Sequence, residues 1–207
     1  YIWRKKRAVF TLPPIALPLL AAITPPGVEV RLINEAVEDV DLSLEANLVG
    51  LSSMTATAPR AYALADHFRS RGILVVMGGV HPSNLPEEAL KYCDSVVIGE
   101  AENIWPRVLE DAGAKRLQRI YQNSLPLSLD RLPAPRWNLL NARKYFTPQT
   151  VQVSRGCPIG CSFCSVSALF GRSYRSRPIP YVLEEIKALK KNLFIFVDDN
   201  IAGDPTF

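Results

Sequence analysis

Cysteine is scarce in this sequence: there are four in 207 residues, and three of them fall within eight positions. So sparse a set cannot frame a disulfide scaffold, and neighbouring thiols on one short stretch are sterically awkward to bridge, so a reducing, cytoplasmic setting is expected. No segment is long and uninterrupted enough to cross a bilayer. The apolar stretch 8–23 follows Arg4, Lys5, Lys6 and Arg7 in the order of a secretory signal, but Pro13, Pro14 and Pro18 break it. A first helix opening at Pro13-Pro14 is expected instead, because proline is tolerated in a first turn whose N–H groups lack partners anyway. Charge of one sign is not in excess either. With 24 Lys and Arg against 20 Asp and Glu, and the basic residues dispersed beyond Arg7, no stripe for a nucleic acid is present, and a small-molecule substrate is the expectation.

What the chain does have is apolar mass, 48% of its residues, enough to fill a core. Short β-rich apolar runs recur at 28–33, 47–52, 73–77 and 95–98, with helical spacing between them, the alternation of a parallel α/β sheet. The helix beginning at Pro59 is the clearest: Ala61, Leu64, Ala65 and Phe68 share a face and Gly72 stops it. Gly78-Gly79 and Gly99 follow two of the strands, where open parallel sheets bind ligands beyond their carboxyl ends. The GxGxxG fingerprint is missing, so NAD and FAD have no specific support.

From 122 to 150 the pattern changes. Pro126, Pro133, Pro135 and Pro148 interrupt any long helix or central strand, and the segment reads as a linker. A strand over 151–154, a helix over 181–191 (Val182, Leu183, Ile186, Leu189) and a strand over 193–197 follow. The expected organisation is a binding domain over 1–121, a proline-rich linker over 122–150, and over 151–207 the start of a β/α unit. One and a half such units cannot close a barrel, so further barrel is expected beyond 207, and a strand is expected before the first helix.

Cys157, Cys161 and Cys164 form a CxxxCxxC run in the loop after a strand. Three thiolates on one loop suit three irons of a [4Fe–4S] cluster and leave the fourth iron without a protein ligand. Electron-transfer clusters and structural zinc sites usually take four protein ligands. No fourth lies nearby: Cys93, His67 and His81 are far upstream. Zinc with a distant ligand, and structural thiols clustered by chance, are the bland alternatives.

CxxxCxxC with an aromatic, Phe163, before its last cysteine resembles the radical S-adenosylmethionine (SAM) superfamily. That resemblance implies that SAM chelates the open iron, that a reduced cluster cleaves it to a 5′-deoxyadenosyl radical, and that the backbone around Phe163 packs near adenine. Asp198, Asp199 and Asn200 end the next strand, where the superfamily contacts the SAM amino group; the bland reading is a capped, solvated strand end. The segments Pro13-Pro14-Ile15-Ala16-Leu17, Gly78-Gly79-Val80-His81-Pro82, Gly99-Glu100-Ala101-Glu102 and Arg155-Gly156-Cys157 resemble radical SAM proteins with an N-terminal cobalamin-binding (B12) domain. Residues 171–175 and 196–201 resemble, within these, a subgroup that includes the hopanoid C-2 methylases.

The fold implied is α/β: a doubly wound parallel-sheet, Rossmann-like cobalamin domain followed by the start of a radical SAM partial (β/α) barrel. Ser52, Ser53, Thr55, Gly78, Gly79, Gly99 and Glu100 are the implied cobalamin contacts, glycine admitting close backbone approach. The DxHxxG loop of histidine-ligating cobalamin domains is absent, so cobalt without a histidine ligand from this domain is expected, with His67 a helix-face residue. Arg155, Arg172, Arg175 and Arg177 surround the cysteine loop. They suit carboxylates, yet charged side chains are mostly exposed, so a solvated basic face is expected. The implied activity is cobalamin-dependent methyl transfer to an unactivated carbon, of a small-molecule or lipid-like substrate, with electrons from a donor such as flavodoxin or ferredoxin. The alternatives are a cyclase or rearrangement enzyme of the same architecture, and a non-catalytic cobalamin-binding fragment.

Overall fold

Residues 11–123, 126–130, 132–147, 149–189 and 193–204 are described in a computed structural model of the chain. The basic cluster at 4–7, Pro148 and the last positions of the helix expected over 181–191 lie outside them.

Four strands, β1 (Leu48–Ser52), β2 (Leu74–Gly78), β3 (Ser95–Ile98) and β4 (Ile120–Gln122), form one parallel sheet in that order. Leu48 pairs with Leu74, Val76 with Ser95 and Val96 with Ile120. Because side chains alternate across a strand, Val75, Met77 and Val96 face one side and Val76 and Val97 the other, and both faces are covered, as parallel sheets require. Helix α2 (Ala58–Ser70) lays Ala61, Leu64, Ala65 and Phe68 on the first face. Ala89, the end of the short helix α4 (Pro86–Ala89), joins them. Helix α5 (Trp105–Gly113) covers the second face with Val108, beside Ile104 and Tyr121. Burying Phe68, which is 2% exposed, is worth about 2–3 kcal/mol relative to leaving it in water. Helix α1 (Ala16–Ile23) packs against α5, and the five-residue helix α3 (Val80–Asn84) follows β2 directly.

Residues 28–33, expected as a strand, form neither strand nor helix. Strand propensity is realised only in a ladder, and among the described residues no strand lies beside this segment, whose Val28 is 45% exposed. Strand β4 was not expected. Three residues long, with two of them exposed, it lacks the apolar alternation that marks a strand.

Beyond the sheet, β5 (Thr150–Val151) pairs in parallel with β8 (Ile195–Phe196), with α7 (Ile179–Ala188) between them in sequence. Val151, Val153 and Val182 make a separate small core. Strand β6 (Ser154–Arg155) pairs antiparallel with β7 (Arg175–Ser176), and the cysteine loop and helix α6 (Ser165–Phe170) lie between them in sequence. The parallel-sheet domain leading into one β/α unit is the α/β architecture expected from the sequence.

Candidate functional site

The carboxyl ends of β1 and β2 form a narrow cradle. Gly79 follows β2 with φ +93°, and a Cβ there would stand 2.8 Å from Ser52 Oγ, 2.9 Å from Ser53 O and 3.0 Å from Ser53 N. The β1 end is pinned: Ser53 N donates to Gly78 O (3.1 Å) and His81 N donates to Ser53 O (3.1 Å). Ser53 Oγ is buried and, among the described residues, has no partner. Gly99 N, at the end of β3, donates to Ser83 Oγ (2.9 Å). Five of the cradle residues expected from sequence, Ser52, Ser53, Gly78, Gly79 and, one strand over, Gly99, thus lie at the sheet's carboxyl edge.

Beneath the cradle is a chain of polar groups that sequence reasoning did not find. Tyr62 Oη donates to Glu88 Oε1 (3.0 Å) and lies 2.8 Å from His81 Nε2, while His81 Nδ1 lies 3.3 Å from Thr55 Oγ1. Since the tyrosine proton goes to Glu88, His81 Nε2 is the donor to Tyr62. Burial first, then the Glu88 hydrogen bond, pushes the Tyr62 phenol well above its usual range. Both imidazoles are therefore engaged by protein: His67, on α2, has its Nε2 2.8 Å from Leu42 O.

The second half of the site is the cysteine loop. Cys157 and Cys164 are partly buried, Cys161 is exposed, all three are free thiols, and Phe163 is 91% exposed. Cys93 is set apart in the core, where burial pushes its thiol up to about 11. Asp198, Asp199 and Asn200, at the carboxyl end of β8, each reach a successive part of the segment leading into the loop. Asp198 Oδ1 accepts from Val153 N (3.0 Å), Ser154 Oγ (2.6 Å) and Ser154 N. Asp199 Oδ2 accepts from Gly156 N (2.9 Å), and Asn200 Nδ2 donates to Cys157 Sγ (3.5 Å). These three residues are therefore braces of the loop in this structure. Asp198 Oδ2 stays buried and, among the described residues, without a partner.

A buried ion network joins the two halves. Arg155 Nη1 donates to Glu100 Oε1 (2.8 Å) and Glu102 Oε1 (2.7 Å), its Nη2 to Gln152 Oε1 (3.0 Å), and Arg175 Nη1 to Glu100 Oε2 (2.8 Å) and Leu127 O (2.6 Å). The side chains of Arg155 and Glu100 are each 8% exposed, Glu102 10% and Arg175 16%. Arg177 is likewise buried, paired with Glu185 at 2.7 Å. The solvated basic face expected from sequence is thus corrected for Arg155, Arg175 and Arg177. Their carboxylate partners, acquired at long range, offset the desolvation that normally keeps arginine outside. Arg172 alone is exposed, its guanidinium carbon 2.9 Å from where a Gly160 Cβ would sit. The Glu100 carboxylate, expected at cobalamin, is committed to these arginines.

Burial by itself would raise the Glu100 pKa, but hydrogen bonds from Arg175 and Arg155 outweigh it and hold the carboxyl below its usual 4.5. A folded-state pKa below the unfolded value contributes stability that is complete above pH 4.5 and is lost as pH falls through the folded pKa. Thermal melting followed by circular dichroism is therefore expected to fall off below pH 4.5, and less steeply for Glu100→Gln than for the wild type. Parallel acid limbs in the two proteins would contradict this.

The donor sets fit two groups. The orphaned Ser53 Oγ at the carboxyl edge of the sheet suits a ligand threaded there, as cobalamin would be. Three free thiols on one loop suit iron by their chemistry. Among the described residues no group of three His, Cys, Asp or Glu side chains is drawn together closely enough to hold a metal ion. No helix is long and apolar enough to cross a membrane, among the described residues.

Comparison with known proteins agrees with this anatomy. Residues 6–109 match the B12 binding domain family. The chain is 35% identical over 190 residues to bacteriochlorophyllide d C-8(2)-methyltransferase of Chlorobaculum tepidum, covering 87% of this chain and 42% of that protein. It is 24% identical over 203 residues to the hopanoid C-2 methylase of Rhodopseudomonas palustris, covering 93% and 38%. It thus spans less than half the length of either relative. A solved structure of the radical SAM methyltransferase TsrM from Kitasatospora setae, with cobalamin and a [4Fe–4S] cluster bound, superposes with TM-score 0.72 at 17% identity over 95% of this chain and 48% of that one, and shares the fold.

Proposed function

Because the chain belongs to the B12-binding domain family, we propose that it is the front part of a cobalamin-dependent radical SAM methyltransferase acting on an unactivated carbon of a small or lipid-like molecule. The observation that supports this best is the tie between the two halves of the site: three free thiols lie on a loop whose entry residue, Arg155, is ion-paired to Glu100 at the end of β3. The two relatives described above, a methyltransferase and a methylase by name, point the same way.

In this reading Ser52, Ser53 and Thr55 hydrogen-bond polar groups of the cobalamin tail, and the backbone at Gly78 and Gly79 borders it, with Gly99 at the mouth. Cys157, Cys161 and Cys164 hold a [4Fe–4S] cluster, and the backbone at Phe163 lies against the adenine of SAM. Asp198, Asp199 and Asn200 hold the loop, and the unpartnered Asp198 Oδ2 is the acceptor proposed for the SAM ammonium, a charge-assisted bond. When bound, the cluster and cobalamin would supply one-electron reduction and methyl-transfer chemistry. The protein's share is orientation and exclusion of water. Electrons come from a flavodoxin- or ferredoxin-type donor, and the setting is the cytoplasm.

The test is the EPR spectrum of the full-length chain, anaerobically reconstituted with iron and sulfide and reduced with dithionite, with and without SAM. A [4Fe–4S]⁺ signal that shifts on adding SAM and is absent in Cys161→Ala is expected. A signal indifferent to SAM, or one that survives Cys161→Ala, would overturn the reading.

A further inference from the structure

Strands β6 and β7 carry two arginines at the same register, Arg155 opposite Arg175. Like charges directly across a ladder repel, and out of water the repulsion is stronger. Here one carboxylate separates them: Glu100 gives Oε1 to Arg155 and Oε2 to Arg175, with Glu102 as a second partner of Arg155. Even so, Arg175 Nε and Nη2 are buried without a partner among the described residues, so the arrangement has no spare acceptor. Hydrophobic residues would fill such a space at less desolvation cost, and retained buried ion groups make better sense as devices that specify geometry.

The geometry at stake is that of the cysteine loop. Arg155 is two residues before Cys157, and β7 closes the same hairpin after α6. Glu100 is bonded in the chain to Gly99 at the cradle's mouth, and its own backbone carbonyl accepts from Asn123 Nδ2 (2.8 Å). We infer that Glu100, helped by Glu102, is a positioning residue: it gathers the two arginines of the β6–β7 hairpin and thereby sets the cysteine loop at a fixed place against the carboxyl end of the sheet. This rests on the methyltransferase reading for its purpose, since methyl transfer needs the two cofactors at a defined separation. It assigns Glu100 to the loop and not to the cobalamin tail.

The experiment uses the full-length chain and Glu100→Gln, which keeps volume and removes charge. Amide hydrogen exchange is read over 153–164, and hydroxocobalamin affinity by absorption titration. Expected are exchange about tenfold faster over 153–164 with the β1 and β2 amides unchanged, and a cobalamin dissociation constant within about threefold of wild type. The reduced cluster's EPR line should also broaden. Adding Arg175→Met to Glu100→Gln removes the uncompensated cation and should restore most of the protection, a rescue that loss of packing alone would not give. Unchanged exchange over 153–164 overturns the inference. So does uniform acceleration across the sheet, or a tenfold loss of cobalamin affinity with the loop unaffected. If Glu100→Gln does not fold, Glu102→Gln, which removes one ion pair, is read the same way. A wild-type chain whose 153–164 amides depend on Glu100 but which takes up no iron–sulfur cluster defeats the functional reading and leaves the positioning role standing.

Discussion

Gly156→Ala is expected to lower the chain's stability by about 3 kcal/mol and to reduce iron incorporation on reconstitution to a small fraction of wild type. Gly156 has φ +90°, a region in which an L side chain costs about 1–2 kcal/mol by itself. A Cβ there would also overlap the carbonyl oxygen of Ser173, with Phe170 Cβ behind it at 3.7 Å. Neither obstacle can step aside cheaply. Ser173 is tied by its own hydroxyl to Phe170 O (2.9 Å) and runs into β7, while Gly156 N is held by Asp199 Oδ2 (2.9 Å) and follows directly on β6. Relief therefore means parting β6 from β7 or releasing Asp199, and either movement displaces Cys157, the next residue. Iron per chain after anaerobic reconstitution, with a thermal melt of the unreconstituted protein, checks both halves. A variant that melts like wild type and loads its full iron would show that the loop has freedom this geometry denies it.

What could be read in advance followed from how locally each feature is encoded. The strand at 95–98 is a run of apolar β-formers between turns, and β3 occupies Ser95–Ile98. The Pro59 helix carries its start, face and stop within its own sequence, and α2 follows it. The cradle glycines are marked by their place after strands. Residues 28–33 carry the same local β signal, but a strand needs a neighbour, and that is a property of the fold. The arginines failed for a related reason. Whether Arg155 is solvated depends on Glu100, 55 residues earlier, and nothing near either residue announces the other. Asp198 to Asn200 were legible as chemistry at a strand's end, but their use as braces for Val153, Ser154, Gly156 and Cys157 appears only once β8 lies beside β5. The missing DxHxxG loop says only what a histidine here does not do; the bond of His81 to Tyr62, across 19 residues, shows what it does.

The two glycines at the carboxyl end of β2, Gly78 within it and Gly79 just after, are expected to part company: Gly79→Ala should weaken hydroxocobalamin binding at least about tenfold, roughly 1.4 kcal/mol, while Gly78→Ala should leave it within about twofold. A Cβ on Gly78 would meet Val97 O at 3.6 Å and Val97 Cβ at 3.9 Å, ordinary contact. On Gly79 it would stand 3.0 Å or less from three atoms, at φ +93°. Of the three, Ser52 Oγ can rotate away. Ser53 N and O cannot, because they are bonded to Gly78 O and His81 N, and His81 is in turn held through Tyr62 and Thr55. The strain must then pass into the turn carrying Ser52, Ser53 and Thr55, the groups proposed to meet the cobalamin tail, so affinity should suffer beyond what any loss of stability explains. Titration by absorption at a temperature where all three proteins are folded separates these contributions. Equal affinities for Gly79→Ala and Gly78→Ala would place the cobalamin tail away from the β1–β2 cradle, because a ligand seated there would feel the movement of Ser53 and one seated elsewhere would not.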